Sequence, residues 1–424
     1  MNDLRYSADW QDDAANVAPE ERATVADLRL WLQQQNVTLH LHGSEIFDHL
    51  TIPLYPLAHG LTHDWWGLFG GRDREFSLMR HRNGYALPDI RCRFDGGVFE
   101  ILAEQRIYQN PDIRFWVGPS EVMTRDDAET VLGGIIECIL ARLNDRGVHD
   151  TSAALRWRRI HASRTDPDEA TFCESAGALG LDPYQIDDEA ASTIEAAAAV
   201  FSGEPLIEFL AGTNGANRHP LLQWIQDVQR RPRYRSRIAD LSDAAAQAAR
   251  QAPRRADTEG WALGYRRARA MRHALDLTAS TRFRSYGALA QKLGASKEYR
   301  VVERIDGIRA LRTDSEDGVR IHLRNHGKSA EAQASHLFSL ARAVGDVACF
   351  PEPTPAAPIN ELRAAYRQAA GRAFAAEFLA PIHEILSMRD DGRDVVSIAE
   401  EFSVSTTVID HQMENTERIQ TACA

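Results

Sequence analysis

Cysteine is scarce in this 424-residue chain: five residues, Cys92, Cys138, Cys173, Cys349 and Cys423. They are dispersed, odd in number and include no Cys-x-x-Cys pair, which argues against a zinc knuckle and a disulfide framework and points to reduced thiols. Long apolar runs are missing as well, so no segment reaches the roughly 20 residues of a helical membrane span. The opening residues Met1-Asn2-Asp3-Leu4-Arg5 lack a basic flank followed by an apolar core, and a cytoplasmic location without a membrane partner is the expectation. An overall positive charge is absent too. The net charge of -12 disfavours a protein dominated by nucleic-acid contacts.

What charge there is lies unevenly. Residues 218–272 carry thirteen arginines against Asp227, Asp240, Asp243, Asp257 and Glu259, a local +8 that leaves -20 for the remainder. Only Trp224 and Tyr234 interleave the densest arginines. Aromatic stacking platforms are therefore few, and docking on acidic protein surface is favoured over phosphate contact.

The patterning predicts an α+β protein, mainly helical, in three parts. Residues 1–150 form an N-terminal α/β domain of unknown role: Val37 to His42 alternates with period two, and Ile90 to Phe94, Asp95-Gly96-Gly97 and Val98 to Ile107 read as a hairpin. A helix over Asp126 to Leu143 closes it. His59 and His63, at i,i+4 beside Asp64, have metal-ligand spacing. No third ligand is identifiable, however, and Trp65-Trp66 mark a packed helix face.

Residues 151–256 form a helical, alanine-rich region with the Arg-rich linker. Asp166-Pro167-Asp168-Glu169 is a helix start, with Gly177 or Gly180 as its stop and Asp182-Pro183 as the next turn. The helix–turn–helix pattern here is rich in acids (Asp166, Asp168, Glu169, Asp182, Asp187, Asp188, Glu189), which argues against binding in a DNA groove.

Residues 257–424 read as helices over Trp261 to Leu275 and Ser285 to Leu293, strands near Val301 and over Val319 to Leu323, and a helix carrying Arg342. An extended Pro-rich linker from Pro351 to Pro358 follows, then one long helix from Asn360 to Met388. The final unit, Val395 to Arg418, has helix–turn–helix spacing, with Ser405 as N-cap of its second helix. That helix offers Thr406, Thr407, Asp410, His411, Gln412, Glu414 and Asn415, with no Arg or Lys before Arg418, which is poor equipment for reading bases.

Within this third part, Phe338-Ser339-Leu340-Ala341-Arg342-Ala343-Val344-Gly345-Asp346 resembles the Phe-x-Leu-Ala-His-Glu-x-Gly-His motif of the ImmA/IrrE metallopeptidases. Arg372 to Pro381 resembles the family's Ala-Asn-x-Phe-Ala-Ala-Glu-Leu-Leu-Met-Pro segment, and Ile398 to Ile409 its closing helix-turn-helix-like unit. The resemblance covers somewhat under half the chain. It implies a zincin-like domain with a small sheet, and it places the family's third zinc ligand at Gln368, with Ala370 the neighbouring alternative.

The chemistry of that zinc motif is missing. A helix with His at i and i+4 aims two imidazoles at one metal, and the adjacent Glu is the general base. Arg342 has no lone pair to donate, Ala343 cannot accept a proton, and only Asp346 could ligate. No catalytic residue, metal or cofactor is therefore expected. His383-Glu384 is no substitute, because Ser387 stands where the second His is needed.

Arg342 and Asp346, at i,i+4, are predicted to form an ion pair that closes the old site. At a solvated helix end such a pair would contribute only about 0.3–0.5 kcal/mol. The alternative is that Arg342, with Asp346 and Gln368, lines a remnant cleft and binds a carboxylate or phosphate.

The expected function is that of a catalytically inactive ImmA/IrrE-like pseudo-peptidase. It would regulate or sense through a protein partner (a repressor, toxin or other effector) or a small ligand, in a bacterial stress, toxin–antitoxin or phage-response circuit. One alternative is a zinc endopeptidase that assembles a nonstandard site from Asp346 with His322, His326 or His336, or a different activity in the N-terminal domain. Another is a DNA-binding regulator, with nucleic acid the less favoured partner.

Overall fold

The computed structural model describes residues 4–12, 17–72, 74–104, 112–116, 118–230, 234–256, 258–299 and 305–418. Among them, helix outweighs strand and the sheets are small and antiparallel, an α+β fold. The chain divides into two compact units, Met1–Asp187 and Asp188–Ala424. This differs from the three parts expected. The division falls inside the helical stretch over 151–256, which the two units share.

The first unit begins with β1 (Leu4–Trp10), the short α1 (Pro19–Ala23), β2 (Val25–Leu32), β3 (Gln35–Asn36), β4 (His40–His42), β5 (Glu45–Phe47) and β6 (Leu50–Pro53). β2 pairs with β1 over its length, from Leu4 opposite Leu32 to Trp10 opposite Ala26, and with β3 and β6. Leu28, Leu30 and Leu32 are buried at every second position, the period of a half-covered sheet. The expected strand over Val37 to His42 is cut to β4. Asn36 Oδ1 captures the Thr38 amide at 3.0 Å and so bends the chain before His40.

The helix α2 (Tyr55–Gly70) buries Leu57, Leu61, Trp65, Trp66, Leu68 and Phe69 in the core of this unit. β7 (Phe76–Ser77), β8 (Asp89–Phe94), β9 (Phe99–Glu104), β10 (Ile113–Phe115) and β11 (Ser120–Met123) follow. The predicted hairpin is β8 and β9: Asp95 Oδ1 accepts from the amides of Gly97 and Val98, both at 2.8 Å, and Gly96 takes φ 96°. Its return strand is described as far as Glu104, and Ile107 lies outside the described residues.

The helix α3 (Arg125–Asp145) starts at Thr124, whose hydroxyl accepts from the Asp127 amide. α4 (Ser152–Thr165) and α5 (Pro167–Leu179) complete the unit. Asp166 caps α5, accepting from the amides of Asp168 and Glu169, and Gly180 ends it at φ 79°. α5 lies so close to α2 that a Cβ on Gly177 would sit 2.0 Å from the Trp66 carbonyl oxygen. That contact ties α5 to the first unit.

The second unit opens with α6 (Asp188–Ala198), α7 (Glu204–Gly212), α8 (Gly215–Arg230), β12 (Arg237–Ile238), α9 (Leu241–Gln251), α10 (Gly260–Ala274) and α11 (Tyr286–Lys292). The strand expected near Val301 lies outside the described residues. β13 (Ala310–Ser315), β14 (Gly318–Leu323), α12 (Ala330–Cys349) and β15 (Ala357–Ile359) come next, and the sheet runs β12-β14-β13-β15. The Pro-rich segment thus ends as a strand, with Pro358 opposite Leu311. Proline is accepted there because β15 is at the sheet edge, where a missing N–H breaks no ladder.

The single helix expected from Asn360 to Met388 is two, α13 (Tyr366–Leu379) and α14 (Ile382–Asp390). Pro381 has no amide to offer the preceding turn, and Ala380 leaves helical geometry at φ -132°, ψ 77°. α15 (Val395–Phe402) and α16 (Thr406–Glu414) form the final unit.

Glycines bring α10 against the backbone of α13 and α12 against one of its side chains. A Cβ on Gly260 or Gly264 would meet the carbonyl oxygens of Tyr366 and Ala370 at 2.5 and 2.3 Å, and one on Gly345 would meet Phe374 at 2.7 Å. α10 and α12 therefore press directly onto α13.

Cys92, Cys138, Cys173 and Cys349 are free thiols, and Cys423 lies outside the described residues. No helix among the described residues is long and apolar enough to cross a membrane.

Candidate functional site

Ser329 starts α12 by accepting the Ala332 amide on its hydroxyl at 3.1 Å, and from Leu337 nearly every residue to Cys349 is buried. A helix apolar on most sides carries its few polar residues into the interior. Arg342 is 2 % exposed, Ala343 0 %, Asp346 1 % and Gln368, on α13, 2 %. The four motif positions are therefore buried, and not at a solvated helix end.

The predicted Arg342–Asp346 ion pair is not made. Asp346 accepts from Arg367 Nη2 on both oxygens, at 2.7 and 2.8 Å, and from Arg312 Nη1 at 3.1 Å. Arg312, on β13, is itself 1 % exposed and also holds Asp314 at 2.6 Å and the Phe350 carbonyl at 2.7 Å. The short Asp346 side chain is thus enclosed by two forks from β13 and α13, and these replace its own helix neighbour as partners.

Arg342 turns the other way. Its Nη2 donates to the carbonyl of Asn360 and, at 3.0 Å, to Gln368 Oε1, while Nη1 stands 3.7 Å from Glu361 Oε1. Gln368 uses its whole amide. Oε1 also accepts from the Asn360 amide at 3.0 Å, and Nε2 donates to the Pro358 carbonyl at 2.9 Å and to Glu208 Oε2 at 2.8 Å.

Glu208 comes from α7, where it stands in the apolar run Pro205-Leu206-Ile207-Glu208-Phe209-Leu210, and it is fully buried. Burial, with Glu204 nearby, pushes its carboxyl up to about 8. Burial lowers the Arg342 guanidinium well below its usual value, with Arg372 and Arg309 adding to the effect and Glu208 opposing it. Sequence reasoning did not find Glu208, Arg312, Asn360 or Arg367. A lone acid inside an apolar helical run was the available signal for Glu208.

This arrangement has little to give a metal. Arg342 and Ala343 offer no lone pair, Gln368 has spent both faces of its amide, and Asp346 accepts from two guanidiniums. The alternative set of Asp346 with histidines is not assembled. His336 lies ten residues before Asp346 on α12, roughly 15 Å along the axis. Its Nε2 accepts the His326 amide at 2.8 Å, and His322, on β14, lies 3.5 Å from Ser236 Oγ. Among the described residues, no three of His, Cys, Asp and Glu gather as metal ligands do.

In the first unit, the rings of His59 and His63 stack at 4.0 Å, and Asp64 faces His81 at 3.7 Å. Trp65 and Trp66 are buried, as a packed face requires. His383 is exposed, and its neighbour Glu384 accepts from Arg282 at 3.0 Å.

The helix-turn-helix-like unit turns at Ser403, φ 55°, and Ser405 holds the N-cap position without a side-chain hydrogen bond. Its second helix, α16, is latched inward. Gln412 is 1 % exposed, accepts from Tyr265 Oη at 2.5 Å and donates to the Ala380 carbonyl at 3.0 Å and to Glu377 Oε2 at 3.3 Å. Several arginines of the basic segment are likewise spent within the second unit, on α12 and α13: Arg267 on the Ala348 carbonyl, Arg269 on Glu377 and Arg272 on the Phe378 carbonyl.

Comparison of the chain with family models, with curated proteins and with solved structures finds no match in any of the three.

Proposed function

We propose that this chain is a non-catalytic, ImmA/IrrE-like pseudo-peptidase that acts as a regulatory or sensing protein, through a protein partner or a small ligand. The observation that carries the reading is the filling of the motif positions. Where hydrolysis needs two imidazoles, a carboxylate base and an open metal, Arg342, Asp346 and Gln368 are each bound to other protein groups in a buried network. The inward latch of Gln412 supports a packing role for α16 over base reading, so a repressor, toxin or other effector protein is the preferred partner and nucleic acid the lesser one. The circuit would be one of stress, toxin–antitoxin or phage response.

The test is the metal content of the chain expressed with zinc and purified without chelators or a histidine tag, read by elemental mass spectrometry. Essentially no zinc is the expected result; close to one zinc per chain would overturn the reading and restore the endopeptidase.

A further inference from the structure

Arg309 precedes β13, an interior strand, at the end of the sheet, where its amide donates to the Ile359 carbonyl at 2.7 Å and its carbonyl accepts from the Arg324 amide at 2.9 Å. Two residues beyond β15, Glu361 turns its carboxylate back over this end of the sheet. The same oxygen, Oε1, is bonded to Arg309 Nε and lies 3.7 Å from Arg342 Nη1. Arg309 Nη1 also donates to Ser335 Oγ on α12 at 3.3 Å. One oxygen of a side chain that is 61 % exposed therefore serves two guanidiniums from two different elements.

Positive charge is in excess here. Burial, then Arg324, lowers the pKa of Arg309; burial, then Arg372 and Arg309, lowers that of Arg342; and burial with Arg309, His336 and Arg324 takes His326 down to about 4. Asp306 is occupied with Arg324 at 3.0 Å. A separate observation concerns hydrogen bonds. Arg342 Nε and, one turn earlier on α12, Ser339 Oγ are buried with no hydrogen-bond partner, which is costly for a donor unless something else accepts from it.

We propose that Arg309 and Arg342 form a receptor for a small phosphate-bearing ligand, with the Glu361 carboxylate as the internal occupant that the ligand displaces. A phosphate group brings up to two negative charges and three acceptor oxygens, enough for both forks and a spare donor. A carboxylate ligand would offer no more charge than Glu361 already supplies. Because Glu361 is exposed and holds the two arginines through its side chain, its withdrawal opens the site without breaking the backbone bonds of Arg309.

The inference deepens the small-ligand branch of the proposed function and rests on it. The experiment is calorimetric titration of the full chain with inorganic phosphate at constant ionic strength, on a preparation whose zinc content is measured. Binding is expected, tightened about fivefold in Glu361→Gln, the scale on which a part-exposed ion pair shifts an equilibrium, and lost in Arg309→Gln. Arg309→Lys keeps the charge without the fork and should bind more weakly than wild type, which guards against a folding defect in the first variant. No binding in either wild type or Glu361→Gln, or equal binding in Arg309→Gln, overturns the receptor. Phosphate binding by a zinc-loaded chain would retain the receptor and overturn the non-catalytic reading instead.

Discussion

Gln368 Nε2 donates to Glu208 Oε2 across 2.8 Å in the interior of the second unit, joining two residues 160 positions apart. Through its other oxygen contact the same amide reaches Arg342, so α7, α12 and α13 share one polar junction. A buried carboxyl in such a place is a titrating element of the fold.

The folded-state pKa of Glu208, about 8, lies above the ordinary value of 4.5. The folded chain therefore keeps a proton that the unfolded chain releases, and the stability this gives is whole below about pH 4.5 and is lost as the pH rises through about 8. Urea unfolding across this range should show wild type losing about 2–5 kcal/mol relative to Glu208→Gln, which cannot titrate. Parallel curves would refute the protonated junction.

Asp346 should couple to Arg367 and not to Arg342. Asp346→Asn combined with Arg367→Gln should show an interaction energy of about 2 kcal/mol, and Asp346→Asn with Arg342→Gln less than about 0.5 kcal/mol. Asp346→Ala alone leaves two buried guanidiniums short of a partner and should cost about 3–5 kcal/mol. Denaturant midpoints of the single and double variants decide the matter.

Gln412→Ala should loosen α16 before anything else. The change removes three buried hydrogen bonds around Tyr265, Glu377 and Ala380, a loss of about 2 kcal/mol. Amide exchange should rise first over residues 406–414 while α12 and α13 stay protected; uniform exchange across the unit would contradict a local latch.

Two glycine substitutions should differ in sign. Gly264→Ala drives a methyl to 2.3 Å from the Ala370 carbonyl oxygen and should cost at least about 1–3 kcal/mol. Gly287→Ala, on α11, meets nothing nearer than Ser285 Oγ at 3.8 Å and should stabilise by about 0.5–1 kcal/mol through helix propensity. Thermal unfolding of the two variants provides the comparison.

The start of α5 was legible in the sequence because its signal is local: Asp166 before Pro167 caps where the pattern placed it. The helices expected from Asp126 and Ser285 begin within a residue of those positions, after caps at Thr124 and Ser285 that the pattern had not named, and Ser405 occupies its expected N-cap position without the side-chain bond. The positions Arg342, Ala343, Asp346 and Gln368 were legible from the motif frame; all four are buried, and Arg342 is bonded to Gln368. Their partners were not. Arg312 and Glu208 lie 34 and 160 residues from the groups they bind, and no local period encodes such a contact. The i,i+4 rule failed for Arg342 and Asp346 because it describes exposed helix surface, where no third residue competes. Deep in the unit, Arg367 and Arg312 do compete. Pro381 was visible in the sequence, but the length of the apolar pattern around it masked the break it makes between α13 and α14.

The outward edge of β15 acquires a particular property from Gln368. Pro358 and Asn360 present a carbonyl and, two residues on, an amide away from β13, and the Gln368 side chain accepts one and donates to the other as the backbone of an added strand would. A single glutamine thus impersonates a neighbouring peptide and occupies the groups with which this edge could recruit one. Strand addition, by a substrate in an extended conformation or by another copy of the chain, is blocked at this margin by a side chain of the protein itself.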